Sequence, residues 1–321
     1  MNEIILPLQL RRESRSFTDA LYGILEGKGW FTLPKFMLAG MTGACFRFSV
    51  HRELQPDSAT AYNWMAEHLV ACDLVGITAS QWGGFNFAPT FPLYQEQAVL
   101  DIKRSIDRGM GAVVWNDGFV IVNGYNEEKQ LFYYLDGLTE SGRELPFAEL
   151  GLNASPYAYY QIYEMRMDTD VLQIIKESYI QAVYRAETHD IMLPEADYAC
   201  GLAAYDVILE ALQSGSYHAA GAYETILVYA AAKKDAAAYT QHAVSYWPSS
   251  KEVAAHYAGL SLVYEQILRT GFMHKPLSFA PAGDLIGLFQ AAKAAETAAV
   301  QSIRRLLREP IANRFHDIGL R

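Results

Sequence analysis

Two segments of the chain carry residue types that nucleophilic chemistry needs, and the first contains Thr42 and Cys45. If Thr42 caps a helix, Cys45 lies in its first turn, where the helix dipole favours a thiolate. Arg47 adds positive charge nearby and is also a candidate for binding a ligand. The alternative is core packing, because a free cysteine between Ala44 and Phe46 is usually buried.

The second segment, residues 109–136, predicts three strands joined by two turns. Asn116-Asp117-Gly118 forms the first turn, since these residue types accept the positive backbone torsions of tight hairpins. The third strand ends at Asp136, next to a glycine. A carboxylate at a strand end is placed where a site could form, so Asp117 and Asp136 join the catalytic candidates.

Several aromatic and charged side chains are candidates for ligand binding. Trp82 lies in a predicted aromatic loop, residues 81–87, which either lines a pocket or covers the sheet. Trp115 belongs to the first strand of residues 109–136, and Tyr125 to the break predicted at residues 124–129, between the second and third strands. Glu296 falls on the apolar stripe of the last predicted helix, where a carboxylate needs a partner. It is therefore either half of a buried pair with Arg or tyrosine hydroxyls, or a substrate contact.

Other chemistries have no support in the sequence. His68 lies beside the apolar face of a predicted helix, and a lone histidine there is more often a satisfied interior residue than a ligand or a base. The chain has no pair of histidines spaced around a carboxylate, no CxxC pair, no glycine-rich phosphate loop and no GxSxG motif. We expect no metal and no cofactor.

The elements that would position these residues change in character near residue 167. Before it, strand and helix patterns alternate; after it, alanine is frequent and apolar residues recur every three or four positions. The predicted helices there are 169–186, 197–213, 218–234, 236–246, 251–270 and 284–308. We predict an α+β domain over residues 1–166 and an all-α helical domain over residues 167–321.

Composition narrows the range of partners. The formal net charge is -10 and no cluster of Lys and Arg appears, which argues against nucleic acid. No run of 18 apolar residues exists, so no membrane-spanning helix is expected. Cys45, Cys72 and Cys200 are an odd, widely spaced set, which is typical of reduced thiols. These features predict a cytoplasmic protein.

Residues 36–165, with the helical region after them, resemble the butirosin-biosynthesis protein H family. The segment GFVIVNGYNEEKQLFYYLDG, residues 118–137, is similar to bacteriocin-leader peptidases, in which a His opens the strand before V-x-G-Y and an Asp ends the next strand. The resemblance implies a papain-like, cysteine-peptidase-like fold, with helices packed on an antiparallel sheet. It also implies an acyltransferase that moves an acyl group from a carrier-protein thioester to an amine.

Carried over to this chain, the resemblance places the orienting acid at Asp136 and the histidine position at Gly118, beside Asp117. The nucleophile position falls on Thr42 rather than on Cys45. The chain therefore departs from the family at both reactive positions, since glycine cannot transfer a proton and a threonine without a base is a poor nucleophile.

The leading hypothesis is an atypical or degenerate papain-like acyltransferase or amidase that acts on or binds a small acyl or amine ligand. Its partners would be a small molecule or an acyl-carrier protein. The alternative is a non-enzymatic binding or scaffold protein of a biosynthetic or regulatory cluster, which uses the segment around Trp82 and the tyrosine-rich strand 157–165. In a third hypothesis the helical half is an oligomerisation module, and the protein is then a homo-oligomer.

Overall fold

The structure is a computed structural model that describes residues 3–14, 16–139, 142–272 and 282–308. It is an α+β fold. Its strands are β1 (Glu3–Ile5), β2 (Ser49–His51), β3 (Ile77–Phe85), β4 (Ala112–Trp115), β5 (Phe119–Asn126), β6 (Leu131–Leu135), β7 (Arg143–Pro146), β8 (Tyr157–Arg166) and β9 (Tyr198–Cys200). Its helices are α1 (Phe17–Gly27), α2 (Lys35–Met41), α3 (Trp64–Leu74), α4 (Phe91–Asp107), α5 (Val171–Glu187), α6 (Leu202–Ser214), α7 (Ala219–Ala243), α8 (Lys251–Ile267) and α9 (Ala282–Leu307).

The main sheet is antiparallel, in the order β3-β8-β4-β5-β6-β7, and β1 pairs with the end of β5. Period-two alternation gives this sheet two buried faces. On β4, Ala112 and Val114 belong to a cluster with α4, whereas Val113 and Trp115 belong to the larger core that contains α1. The sheet therefore lies between α4 on one face and α1 on the other.

The predicted hairpin is confirmed. Asp117 has φ +53°, and the backbone N–H of Asn116 donates to the carbonyl of Gly118 at 2.8 Å. The predicted second break was placed too early, because β5 continues through Gly124 to Asn126, with an irregularity in its pairing between Val122 and Gly124. A bulge of this kind accommodates one extra residue without ending a strand.

The aromatic segment 81–87 was expected to be a loop, which is wrong for most of its length. β3 extends to Phe85 and pairs residue by residue with β8, so that Trp82 lies opposite Tyr160. Aromatic residues pack well on a pleated surface, and the two glycines within this strand do not interrupt it.

After Arg166 the described chain is mainly helical, as the alanine-rich pattern predicts. The helices expected at 218–234 and 236–246 form one continuous helix, α7, because no glycine or proline separates them. The expectation of purely helical structure was wrong at β9, which pairs with β2. One hydrophobic core also includes residues from both halves, so the two parts share their packing.

None of the helices in the described ranges is both long enough and apolar enough to cross a membrane.

Candidate functional site

The segment around Thr42 ends a helix and does not begin one. α2 stops at Met41, and Thr42 is its C-terminal cap, with Oγ1 donating to the carbonyl of Leu38 at 2.8 Å. Gly43 then turns the chain with φ +71°, a conformation that favours glycine. The expected helix with Cys45 in its first turn was therefore wrong, since a short 3-10 turn, Ala44–Phe46, follows.

Cys45 is a core residue with 2% of its surface exposed. Burial raises the pKa of its thiol well above the ordinary value, which disfavours the thiolate that nucleophilic attack requires. It borders a cavity of about 30 Å³. That volume holds a water molecule or two but no carrier-bound thioester. The packing interpretation of Cys45 fits these surroundings.

Two helices, α1 and α3, lie against one face of the hairpin, and Trp64 of α3 has its ring centroid 5.1 Å from that of Phe119. Phe17 meets Phe119 edge to face, with ring centroids 5.6 Å apart, and a Cβ added at Gly23 would lie 2.8 Å from Ile121 Cδ1. The N-cap of α1 is Ser16, whose hydroxyl lies 2.7 Å from that of Ser14. α1 therefore begins with serine and phenylalanine and contains no cysteine. α3 packs on the same face and carries Cys72, whose thiol lies 3.6 Å from Gln161 Oε1 of β8.

Asp117 and Asp136 both hold turns. Asp117 accepts a hydrogen bond from the backbone N–H of Ala154 at 3.1 Å. Asp136 accepts from the backbone N–H of Leu138 at 2.9 Å and forms an ion pair with Arg143 at 2.8 Å. No described contact joins either carboxylate to a histidine or a cysteine, and Gly118 occupies the position implied for the base.

His68 lies in the core and contacts two tyrosines. Its ring stacks on Phe17 with centroids 3.6 Å apart, and its nitrogens hydrogen bond Tyr62 and Tyr159, each at 2.9 Å. Tyr159 donates its one hydroxyl proton to Gln81 at 2.9 Å, so Nδ1 of His68 must donate to Tyr159 and Nε2 must accept from Tyr62. Burial lowers the pKa of His68 well below the ordinary value, with a further contribution from the charge of Arg47. This histidine is neutral and fully partnered.

Three aromatic candidates also have packing roles. Trp82 stacks on Tyr94 with centroids 4.6 Å apart, and the indole N–H of Trp115 donates to Ser155 at 2.8 Å. Tyr125 donates to Asp107 at 2.8 Å, and this hydrogen bond, with burial, raises the pKa of Tyr125 to about 12. None of the three is a lining residue of the two largest described cavities.

Glu296 has the partner that its position requires. Lys233 of α7 donates to its carboxylate at 2.5 Å, and Tyr205 of α6 donates to the other oxygen at 2.6 Å. Lys233 is 0% exposed and lies 4.8 Å from the ring centre of Phe48. The pair joins α7 to α9 inside the helical part. Of the two predicted alternatives it matches the buried pair, with a tyrosine hydroxyl as expected, but the cation is Lys233 and not the arginine that was expected.

The remaining candidate, Arg47, belongs to a cluster of charges that three elements bring together. It follows the 3-10 turn in extended backbone, and its Nη1 donates to Glu67 Oε2 at 3.1 Å. Arg185 reaches the same oxygen at 2.8 Å. Glu67 lies in the first turn of α3 and Arg185 in the last turn of α5, which are the ends where the helix dipole favours these charges.

The two guanidinium groups retain donors that no acceptor satisfies. Arg47 Nε, Arg185 Nε and Arg185 Nη1 are buried without a hydrogen-bond partner. The guanidinium carbon of Arg47 lies 3.5 Å above the Tyr62 ring. Burial alone would raise the pKa of Glu67, but Arg185 and Arg47 more than offset it and lower that pKa below 4.5. Buried donors without an acceptor carry a desolvation cost, and these three nitrogens have almost no accessible surface.

These side chains line a cavity of about 270 Å³, which we call the arginine cleft. Its other walls include Tyr184, Cys200 and the turn that carries Ile191 and Met192. Gly201, with φ +60°, brings the end of β9 close to α5; a Cβ there would lie 2.3 Å from the carbonyl oxygen of Ala186. This approach, together with the pairing of Ser49 with Cys200, places the Cys200 thiol in the wall.

A second cavity, of about 330 Å³, surrounds Lys35. Here Lys35 pairs with three carboxylates, Asp235 at 2.9 Å and Asp19 and Glu13, each at 3.4 Å. The arginine cleft differs in that two arginines share one carboxylate, Glu67. Within the described ranges, no group of three or more His, Cys, Asp or Glu side chains is arranged to hold a metal ion.

Comparison with known proteins found no family model that matches the chain and no matching curated protein. The resemblance to butirosin-biosynthesis protein H therefore stays a prediction.

Sequence reasoning found one member of the arginine cleft, Arg47, and missed Glu67 and Arg185. Both missed residues lie at helix ends with the charge sign that suits the dipole, a weak signal that many surface residues share. Nothing in the local sequence indicates that the three side chains meet.

Proposed function

We propose that this chain is a degenerate papain-like, acyltransferase-related protein that binds a small organic anion in the arginine cleft and does not use a cysteine nucleophile. The antiparallel sheet with α1 on one face supports the papain-like part of the proposal. The raised pKa of Cys45 and the glycine at position 118 support the loss of cysteine-dependent chemistry. The proposal is thus close to the non-enzymatic alternative from the sequence.

The observation that carries the binding proposal is the pair of guanidinium side chains in the wall of the cavity. Arg47 and Arg185 both line it, and their side chains are 15% and 16% exposed. Their one shared counter-ion, Glu67, accepts from both on the same oxygen. Guanidinium groups match carboxylate and phosphate oxygens in geometry and charge, so an anion is the ligand class that would satisfy them.

The cleft is of a size that suits a small molecule. Its volume of about 270 Å³ lies just below the usual range for ligand pockets, roughly 300–1,000 Å³. It is bounded by α3, α5 and the β2–β9 pair, so residues from both halves of the chain contribute. Sites formed where two structural parts meet are common for small ligands.

Cys200 provides a direct test, because it is the half-buried thiol in the cleft wall while Cys45 and Cys72 are fully buried. N-ethylmaleimide should therefore modify Cys200 selectively, with a Cys200→Ser variant to verify the site. The probes are acetate, hexanoate, sulfate and phosphate at constant ionic strength. At ten times the dissociation constant, an occupied cleft should slow modification about elevenfold and raise Tm by about 2 °C.

Arg185→Gln should abolish both effects, and Arg185→Lys should retain part of them, since lysine keeps the charge but loses the planar fork. Arg108→Gln is the matched control, because that arginine pairs with Glu164 on the exposed surface at 2.7 Å. If no anion protects Cys200 in the wild-type chain, or if protection survives Arg185→Gln, the proposed function is wrong.

A further inference from the structure

Beside its two arginines, the arginine cleft has an exposed apolar rim. Tyr184 is 56% exposed, Ile191 90% and Met192 60%, and all three side chains line the cavity. Single exposed apolar residues are ordinary on protein surfaces. Three of them at the mouth of the cavity that Arg47 and Arg185 line form an amphiphilic site.

The turn that carries Ile191 and Met192 has a defined geometry. Asp190 accepts a hydrogen bond from the backbone N–H of Met192 at 2.9 Å, and its carbonyl accepts from Leu193 at 3.0 Å. The ring Nε2 of His189 lies 2.8 Å from the carbonyl oxygen of Leu193. Side-chain-to-backbone bonds of this type fix tight turns, so the two apolar side chains are held at the rim before any ligand arrives.

The charges that line the cleft indicate a singly charged anion. Arg47 and Arg185 are balanced by Glu67 and Asp190, so the formal charges of these four residues sum to zero. The cleft therefore offers two guanidinium groups without an excess of positive charge. A phosphate dianion would bring two uncompensated charges into a half-buried site, whereas a carboxylate brings one and fits a guanidinium fork.

We infer that the ligand is an amphiphilic monocarboxylate, whose carboxylate pairs with Arg47 and Arg185 and whose short aliphatic or aromatic tail packs on Tyr184, Ile191 and Met192. This inference rests on the proposed function, since it names the ligand class of the same cleft. The cavity volume limits the buried tail to a short chain. The apolar contacts would then provide the affinity that a lone carboxylate in water does not reach.

The test is a homologous series of probes: acetate, butyrate, hexanoate and octanoate, with hexanol as the uncharged control. Affinity is measured on the full chain by protection of Cys200 from N-ethylmaleimide and by calorimetry. Each methylene that becomes buried should tighten binding about three- to fourfold, until the tail leaves the cleft. Hexanoate should therefore bind at least 20-fold more tightly than acetate, and hexanol should bind far more weakly than hexanoate.

A rim variant separates the tail contacts from the charge contacts. Ile191→Ser combined with Met192→Ser should reduce the gain in affinity from acetate to hexanoate to a few-fold. Leu262→Ser, at an apolar residue of α8 that is 59% exposed, is the matched control and should leave the series as in the wild type.

The possible results distinguish this inference from the function on which it rests. If every carboxylate binds with the same affinity, or phosphate binds more tightly than hexanoate, the apolar tail is refuted while anion binding stands. If hexanol matches hexanoate, the cleft is an apolar groove and the carboxylate is refuted. If Cys200 is protected without ligand and exposed on dilution, a second copy of the chain covers the rim. If no probe binds, the proposed function itself fails.

Discussion

Replacing Glu67 with glutamine tests whether Arg47 and Arg185 depend on it as their shared counter-ion. Glu67 is the counter-ion that Arg47 and Arg185 share, at 3.1 and 2.8 Å, and its side chain is 21% exposed while those of the arginines are 15% and 16% exposed. Removing one partner of a fully buried ion pair costs about 3–5 kcal/mol, whereas an exposed pair contributes at most about 1 kcal/mol. For this intermediate burial we expect Glu67→Gln to lower the free energy of unfolding by about 2–3 kcal/mol.

For a chain of 321 residues, 1 kcal/mol corresponds to about 1.5 °C in Tm, so the variant should unfold about 3–5 °C below the wild type. Added hexanoate should recover more stability in Glu67→Gln than in the wild type, because the ligand then supplies the missing negative charge. Glu164→Gln, which breaks the exposed pair with Arg108, is the control and should cost less than about 1 kcal/mol.

The pH dependence of the same comparison has a definite sign. The pKa of Glu67 is lowered in the folded protein, so its stabilisation is complete above 4.5, the value for the unpaired group, and is lost as the pH falls through the folded pKa. The difference in stability between the wild type and Glu67→Gln should therefore be constant near neutrality and shrink below pH 4.5. A loss under 0.5 kcal/mol at pH 7, or equal recovery by hexanoate in both proteins, would refute the reasoning.

Three further predictions concern buried groups. The pKa of His68 is lowered in the folded chain, which keeps it neutral, while the unfolded chain binds a proton there below pH 6.5. The free energy of unfolding, measured with urea, should therefore fall toward acid pH by up to about 1.4 kcal/mol per pH unit. His68→Gln should lose this slope. An equal slope in both proteins would contradict this. In native protein at pH 8, peptide mapping after iodoacetamide treatment should find Cys200 modified and Cys45 unmodified; rapid modification of Cys45 would revive the nucleophile hypothesis. Glu296→Gln should lower the free energy of unfolding by about 3–5 kcal/mol, and Tm by about 5–8 °C, because it leaves Lys233 buried without a counter-charge. The double variant Lys233→Met, Glu296→Leu should recover most of this loss. A single variant near wild-type stability would show that Glu296 does not anchor α9.

The papain-like resemblance and the geometry differ in where they place the reactive groups. The resemblance aligned the nucleophile with Thr42, but the Thr42–Cys45 segment packs against α7, where Gly40 of α2 lies against the Tyr239 ring. The helices on the opposite face of the sheet from α4 are α1, with Ser16 at its N-terminus, and α3, which carries Cys72. Local composition indicated a helix near Thr42, but composition does not specify which surface a helix covers.

Local patterns predicted most of the elements. The turn residues Asn116-Asp117-Gly118 and the β-branched runs beside them predicted the central hairpin, and the structure has it with the expected positive φ at Asp117. The helices after residue 167 followed from spacing and alanine content. Errors occurred where a strand continues through glycines, as in β3 and β5, because a bulge or a packed aromatic face overrides a local break signal.

The sequence by itself determined the α+β class, the central hairpin and the need for a partner at Glu296, because these depend on residues close together in the chain or on one helix face. Tertiary structure alone decided that Cys45 is buried, that Lys233 is the partner of Glu296, and that Arg47 meets Glu67 and Arg185. The physical reason is that backbone torsions and side-chain periodicity act over a few residues, whereas burial and ion pairing depend on which distant elements pack together. The arginine cleft is formed by three such elements, so its unpaired donors exist only in the folded chain.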